Sequence, residues 1–472
     1  MSLSGALYTA TAGLNVNQSL SRVTAGNVAN AMTEGYARRD AHLVSTSIGT
    51  GGVQVAEIRR EVDAALVRMS RNENSKMAEQ QAIHEGLRDY TLFLGQIGDG
   101  ASPAEKFSAF NSSMTTLVNL PSSAAAQQGA VFAAEDLAAS IRDASDRLAN
   151  VRADVDMEIR YEVSDLNDML YQLRDFNTRL GDFAPGSHEA AAFHDQIAKT
   201  LDQVSGIVDI RVTQTADGWV NVYTTGGAAL LEGDRVQDVT YNPGDGSFFA
   251  GSQEITPGEP GVRGIEHGSL AGFATLKRET IPQFQLQLDE YARGLIQSFE
   301  AADATLTTGQ AGLFTDNGFA FDAANLEGLA SRLRVNEALH AGAGGSAWLI
   351  RDGLGATAQG PASSATQIQA FIDGMNQSFS ADPGTGINAA VTLADFGAEV
   401  VTAQGTATAR AEQSYNAARS AAEVIQASRQ NVEGVNIDEE MQKLMMIEQS
   451  FAANSKMLTA VAEMLDTLLA AV

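Results

Sequence analysis

Between Ile437 and Leu469 the chain keeps one rhythm. Ile437, Met441, Leu444, Glu448, Phe451, Ser455, Leu458, Ala462, Leu465 and Leu469 follow one another at alternating intervals of four and three residues. On an α-helix that rhythm lays a narrow stripe along a single face, and such a stripe needs another helix to cover it. Asn436 precedes the run and Glu439 comes three residues later, the arrangement of an N-cap with a reciprocating acid. The C-terminal end is therefore expected to be a helix whose purpose is to pair.

The N-terminal end has the same character in weaker form. Leu3, Leu7, Ala10 and Leu14 are spaced by four, three and four, and the stripe then moves to Val16, Leu20 and Val23. Gly5, Gly13 and Gly26 interrupt it, each costing about 1 kcal/mol relative to Ala inside a helix. Alone in water such a helix is expected to be mostly unfolded. Asn27 and Asn30 stand at its end, Gly35 can take a left-handed backbone after it, and Tyr36 opens a more extended stretch.

Between the ends the apolar period changes twice. "GGVQVAEIRREVD" alternates at Val53 and Val55 before Ile58, a short strand leading into a long helix over residues 61–95, and the breaker-rich "GQIGDGASP" follows. From Ala104 to Gly206 the pattern is helical, broken at Pro121 and at "GDFAPGS". Val151, Val155, Ile159, Val163, Leu166, Leu170 and Leu173 mark the seam of a bundle. At Ile207 the period drops to two: "IVDIRVTQTADGWVNVYTT" is two alternating runs around an Asp217-Gly218 turn. Helix returns from residue 269, the stretch 306–360 is loop-rich, a helix is expected near 364–380, and two more cover 392–431 and 437–470.

These readings give a mainly α chain with smaller β parts (α+β). Terminal coiled-coil-forming helices frame a central long-helix bundle and a small antiparallel β insertion. The expected segments are an N-terminal helix (1–40), a hairpin and long helix (41–105), a helical bundle (106–206), a small β domain (207–268), a returning helix (269–300), a loop-rich outer region (301–391) and the C-terminal helices (392–472).

Composition narrows the function classes. A formal net charge of -27 over 472 residues repels phosphate backbones and anionic lipid heads, which speaks against nucleic-acid and membrane-surface binding. No cysteine is present, so disulfides and thiolate metal sites are excluded. No apolar run approaches the roughly 18 residues of a spanning helix. The first arginine is Arg22, and polar residues interrupt "MSLSGALYTATAGLNVNQSL" where a signal's apolar core would lie, so no cleaved general secretory signal is expected.

Catalytic patterns are lacking. Of His42, His84, His188, His194, His267 and His340, only His188 and His194 are close, and a spacing of six does not share a helical face. Asp438, Glu439 and Glu440 read as caps and dipole partners of the last helix. "GTGG" and "AGAGG" lack the frame of a phosphate loop, and no G-x-S-x-G elbow occurs. No catalytic residue, metal ion or cofactor is assigned.

One resemblance joins the two ends. "GNVANAMTEGYARRD", residues 26–40, resembles the N-terminal signature of bacterial flagellar axial proteins, and "GVNIDEEMQKLMMIEQSFAANSKMLTAVAEMLDTLL" is similar to their C-terminal signature. Rod, hook and hook-associated proteins share both. "GGVQVAEIRREVDAAL", the long helical region, "AAFHDQIAKTLDQVSGIVDIRV" and "GSLAGFATLKRETIPQFQLQLDEYARGL" follow in order the pattern of the hook-associated protein 1 family, which forms the hook-filament junction. Members often carry L-D-Q-R-D where this chain reads "FHDQIA", and an Asn-His pair where it reads "FEAADATL".

The resemblance implies a structural, non-enzymatic protein of the extracellular flagellum. It would leave the cell unfolded through the flagellar type III export apparatus with its C-terminal segment guarded by an export chaperone. It would then form a homo-oligomer between the hook protein and hook-associated protein 3, without nucleic acid or membrane insertion. Its terminal segments would be disordered in the free subunit and fold on assembly. The residues expected to carry assembly are Leu3, Leu7, Leu14, Leu20, Val23, Asn27, Asn30, Gly35 and Tyr36 at one end, and Ile437, Met441, Leu444, Phe451, Leu458, Leu465 and Leu469 at the other. Two alternatives stay open: another axial protein such as a hook protein, which would have a β-dominated middle, and a cell-wall hydrolase.

Overall fold

The computed structural model describes residues 3–33, 35–46, 52–94, 100–215, 218–388 and 390–470. Helix α1 (Leu3–Ala29) leads into an antiparallel hairpin, β1 (Arg39–Ser45) with β2 (Val53–Arg60), whose register runs from Arg39 opposite Arg60 to Ser45 opposite Val53. Asp63 starts α2 (Ala64–Leu94), its Oδ1 accepting the amide hydrogens of Ala65 at 2.7 Å and Leu66 at 3.2 Å. Ser102 caps α3 (Pro103–Asn119), with Pro103 in the first turn where no amide hydrogen is missed.

The chain turns at Pro121 and Ser122 and enters α4 (Ala124–Leu180), a helix of 57 residues. The expected stripe from Val151 to Leu173 is buried along it. "GDFAPGS" ends that helix, and Ser187 caps α5 (His188–Ile207).

At Ile210 the backbone becomes extended. Strands β3 (Ile210–Gln214), β4 (Val220–Thr224), β5 (Ala229–Glu232) and β6 (Arg235–Val236) form one antiparallel sheet, and β7 (Val239–Asn242), β8 (Ser247–Ala250) and β9 (Gln253–Glu254) a second. Of the expected Asp217-Gly218 turn, Gly218 has φ +86° and Asp217 lies outside the described residues. Two asparagines of α4 attach the sheets. Asn177 pairs with both the amide and the carbonyl of Val220, at 2.9 Å each, and Asn167 does the same at Val239 at 2.8 and 2.9 Å. An Asn side chain has the donor and the acceptor to replace a missing strand neighbour.

Helix returns as α6 (Ser269–Thr275), passes through one π turn (Leu276–Thr280) and continues as α7 (Ile281–Ala302). The expected loop-rich region follows. It holds β10 (Phe314–Asp316), α8 (Leu329–Arg332), β11 (Leu333–Val335), α9 (Leu349–Asp352), α10 (Thr366–Met375), β12 (Phe379–Ser380) and β13 (Ala390–Val391). The chain ends with α11 (Leu393–Glu433) and α12 (Ile437–Ala470).

Two compact units divide these elements. One gathers residues 1–79, 161–271 and 416–472, and the other residues 80–160 and 272–415. The second unit is centred on aromatic rings: Phe299 packs against Phe110 at 5.7 Å, Phe314 at 5.1 Å and Phe371 at 5.2 Å between centroids. Buried acids of α7 and its end hold the irregular region in place. Asp289 accepts the amide hydrogens of Gly328 and Ala330, both at 2.8 Å, Glu290 that of Asp382 at 2.9 Å, and Asp303 that of Leu354 at 2.7 Å. A carboxylate accepting backbone hydrogens is a charge-assisted anchor, and here it does the work that a strand ladder does elsewhere.

Candidate assembly site

The first unit brings the two ends of the chain together. Helices α1 and α12 pack against each other, and β1 and β2 lie against α1. Asn27, 1% exposed, is the centre of this arrangement. Its Nδ2 donates to the Arg39 carbonyl at 2.8 Å and to Glu440 Oε2 at 2.9 Å, and its Oδ1 accepts from the Arg39 amide at 3.0 Å and the Tyr36 hydroxyl at 2.8 Å. One side chain thus closes the turn after α1, starts β1 and reaches the last helix. Gly35 takes φ +78° within that turn, and Asn30 holds the helix end by donating to the Gly26 carbonyl at 2.9 Å.

Below the turn lies an ionic clamp built on α5. Asp195 and Asp202 stand seven residues apart, two turns along one face. Asp195 accepts from Arg39 and Arg60 of the hairpin, both at 2.6 Å. Asp202 accepts from Arg71 of α2 and Arg429 of α11, both at 2.7 Å, and Arg429 also pairs with Glu433 at 2.8 Å. Burial lowers the Arg71 pKa against the pull of Asp202. At Arg429 burial also opposes the charge, but Asp202 and Glu433 outweigh it and raise the pKa. His188 lies within 3.2 Å of the Arg39 guanidinium, while burial and then the charge of Arg60 push the His194 pKa down. The two histidines belong to this clamp. Among the described residues no group of three His, Cys, Asp or Glu could hold a metal.

The expected assembly residues divide by exposure. On α1 Val23 and Asn27 are buried, Leu3, Leu14 and Leu20 are half-buried, and Leu7 is exposed. Asn30 and Tyr36 are half-buried and Gly35 is exposed. On α12 Leu444 and Leu458 are half-buried, while Ile437, Met441, Phe451, Leu465 and Leu469 are exposed, Phe451 by 48% and Leu469 by 76%. The more covered face of α12 lies three residues round, at Glu440, Ile447, Asn454 and Val461.

Glu440 departs from the capping role expected of it. Asp438 and Glu439 do receive the cap, their amides donating to Asn436 Oδ1 at 3.0 and 3.4 Å. Glu440 instead turns inward, 1% exposed, between Asn27 and Lys443. Its position in a run of three acids gave no sign of that, because its partner is 413 residues away. Two grooves flank the helix pair, one of about 490 Å³ lined by Val16, Leu20, Leu43, Val53 and Met446, the other of about 740 Å³ lined by Leu14, Gln18, Arg22 and Phe451.

Comparison with known proteins places these segments. Residues 95–313 match the family described as the flagellar hook-associated protein FlgK helical domain, and residues 426–471 the flagellar basal body rod FlgEFG protein C-terminal family. Flagellar hook-associated protein 1 of Bacillus subtilis is 26% identical over 241 residues, covering 48% of this chain and 47% of that protein. The protein of the same name from Escherichia coli is 21% identical over 311 residues, covering 63% and 56%. A solved structure described as the flagellar hook junction protein FlgK from Burkholderia pseudomallei has a TM-score of 0.45 and 16% identity, covering 53% of this chain and 47% of that one. The chain spans about half the length of the curated relatives it matches. Among the described residues no helix is long and apolar enough to cross a membrane. Through its middle and its C-terminal segment the chain is thus similar to flagellar hook-associated proteins, matching the helical-domain family over residues 95–313 and the axial-protein C-terminal family over residues 426–471.

Proposed function

We propose that this chain is a structural subunit of the bacterial flagellum that joins hook to filament, polymerising at the hook tip through its terminal helices. The observation that carries the proposal is the uncovered apolar stripe of α12. Ile437, Met441, Phe451, Leu465 and Leu469 are exposed in the single chain, and a contiguous apolar strip of this kind marks an interaction surface. Its occupants are α1 and α12 of neighbouring copies, with the hook protein on one side and hook-associated protein 3 on the other. No catalytic role is part of this reading.

The helix pair is weakly held, which fits folding on assembly. Ala10, Val16 and Val23 on α1 and Val461 on α12 are its buried apolar side chains, few for helices of 27 and 34 residues. A subunit of this kind can pass unfolded through the flagellar type III apparatus, its α12 stripe shielded by an export chaperone, and order its ends only where neighbours cover them. The hook-protein alternative predicts a β-dominated middle, whereas residues 103–207 form α3, α4 and α5.

The test is electron microscopy of a strain lacking the gene. Hooks without filaments, flagellin released into the medium, and recovery of both on re-expression of this chain are expected. Full-length filaments in the deletion strain would contradict the proposal. Lytic activity of the purified chain on cell wall would favour the hydrolase alternative instead.

A further inference from the structure

Three contacts cross between α1 and α12 at polar residues. Asn27 donates to Glu440 at 2.9 Å, Asn17 donates to Ser450 at 3.1 Å, and a Cβ on Gly13 would lie 2.7 Å from the Asn454 amide nitrogen. The two residue numbers of each pair add to 467, so all three belong to one antiparallel register. The same total sets Leu20 opposite Ile447 and Thr24 opposite Lys443, and these four line one groove. Of these five layers Leu20 with Ile447 is apolar on both sides, and the same total sets the buried Val16 opposite Phe451 and Val23 opposite Leu444, so polar rungs alternate with apolar ones.

An apolar seam tolerates sliding, because a Leu or Met one turn further along covers nearly the same area. Buried polar groups do not: a slipped register leaves Asn27, Glu440 and Asn17, all buried, without their partners, Ser450 alone being exposed. We propose that the Asn27–Glu440 and Asn17–Ser450 rungs set the register in which α1 and α12 pair, with Gly13 the close approach that admits Asn454. The rungs hold the exposed stripe of α12 in fixed phase relative to α1, so that every copy presents the same surface to its neighbours. This last consequence rests on the proposed function above, whereas the register itself is read from the chain alone.

The chain has no cysteine of its own, so introduced pairs report register without background. A Cβ on Gly13 would lie 3.0 Å from Asn454 Cγ, which puts Gly13→Cys/Asn454→Cys within disulfide reach. Gly13→Cys/Leu458→Cys reports a slip of one turn. Under mild oxidation of the purified full-length chain, the first pair is expected to cross-link at least roughly tenfold faster than the second, the scale set by one buried polar group left unpaired. In a Glu440→Leu/Ser450→Leu background the two rates converge to within about threefold. In a Glu440→Gln/Ser450→Thr background, which keeps an acceptor oxygen opposite each asparagine, the tenfold gap remains.

An unchanged gap in the leucine background would mean that the connections at residues 30–38 and 434–436 fix the register, and would overturn the proposal. So would loss of the gap in the Gln/Thr background, or no cross-link between positions 13 and 454 in the otherwise native chain. None of these results bears on whether the chain restores filaments to the deletion strain, so the two readings fail separately.

Discussion

Asn27 and Glu440 stand 413 residues apart in sequence and share a buried hydrogen bond of 2.9 Å. Replacing Asn27 by Ala leaves the Glu440 carboxylate short of a donor and strips both the amide and the carbonyl of Arg39 of their partner. Each buried group so orphaned costs about 1–3 kcal/mol. Asn27→Ala is therefore expected to speed proteolytic cutting within residues 3–45 by tenfold or more, on the order of one such loss. Unchanged digestion kinetics, followed by mass spectrometry of the fragments, would count against the role given to this side chain.

The clamp on α5 separates buried from exposed ion pairs. Asp195 serves two largely covered arginines, Arg39 and Arg60, so Asp195→Ala strands two charges and is expected to cost about 3–5 kcal/mol. Arg59 pairs with Glu57 at the surface, and Glu57→Ala should change stability by about 0–1 kcal/mol. Urea unfolding followed by circular dichroism measures both. Equal losses would show that the clamp is no tighter than a surface pair.

In the second unit two fully buried tyrosines differ by one hydrogen bond. Tyr90 donates to Gln404 Oε1 at 2.8 Å, while the Tyr291 hydroxyl has no partner among the described atoms and faces Gly397, where an added Cβ would lie 2.6 Å from it. Burial drives both phenol pKa values far above their ordinary range. Tyr90→Phe is expected to cost about 1 kcal/mol, because it also leaves Gln404 wanting, and Tyr291→Phe to be neutral or stabilising by a similar amount. Thermal unfolding compares them directly, and a larger loss for Tyr291→Phe would reverse the reading.

Two acids of that unit respond to pH with opposite sign. Burial raises the Asp289 pKa despite the bonds from Ala330, Gly328 and Gln285, so the folded chain takes up this proton before the unfolded chain does. Stability from Asp289 therefore rises as pH falls through its folded value. The hydrogen bond from Arg351 lowers the Asp352 pKa, and its contribution is present above the ordinary carboxylate value and lost as pH falls through the folded one. Between pH 5.5 and 3, roughly the range over which ordinary carboxylates titrate, Asp289→Asn should steepen the acid loss of stability and Asp352→Asn should flatten it. The same change of slope in both variants would contradict these assignments.

Local punctuation made much of the fold legible. Pro121 and "GDFAPGS" separate α3, α4 and α5 because Pro and Gly act on the backbone where they stand. The stripe from Val151 to Leu173 is buried as its spacing implies, and Asn436 caps α12. The covered face of α12 was not legible, since apolar periodicity shows which faces avoid water and not which one the same chain covers. Here polar residues decide it, and their partners lie at the far end of the sequence. The acids of α7 were hidden for a related reason: Asp289 and Glu290 look like a solvated helix face until the loops they hold are seen.

The proposed assembly requires the apolar stripe of α12 to be covered by neighbouring subunits. Phe451 is exposed in the single chain, so Phe451→Asp should leave the purified protein's thermal transition in place. In the assembly the same carboxylate would be buried without a partner, at a cost of several kcal/mol. Lys456→Asp, at a neighbouring exposed position outside the stripe, is the control. The decisive measurement is the amount of each variant recovered in purified flagella of the deletion strain, beside swimming in soft agar. Phe451→Asp is expected to be absent from flagella and non-motile, with Lys456→Asp near wild type; normal incorporation and swimming of Phe451→Asp would contradict the account.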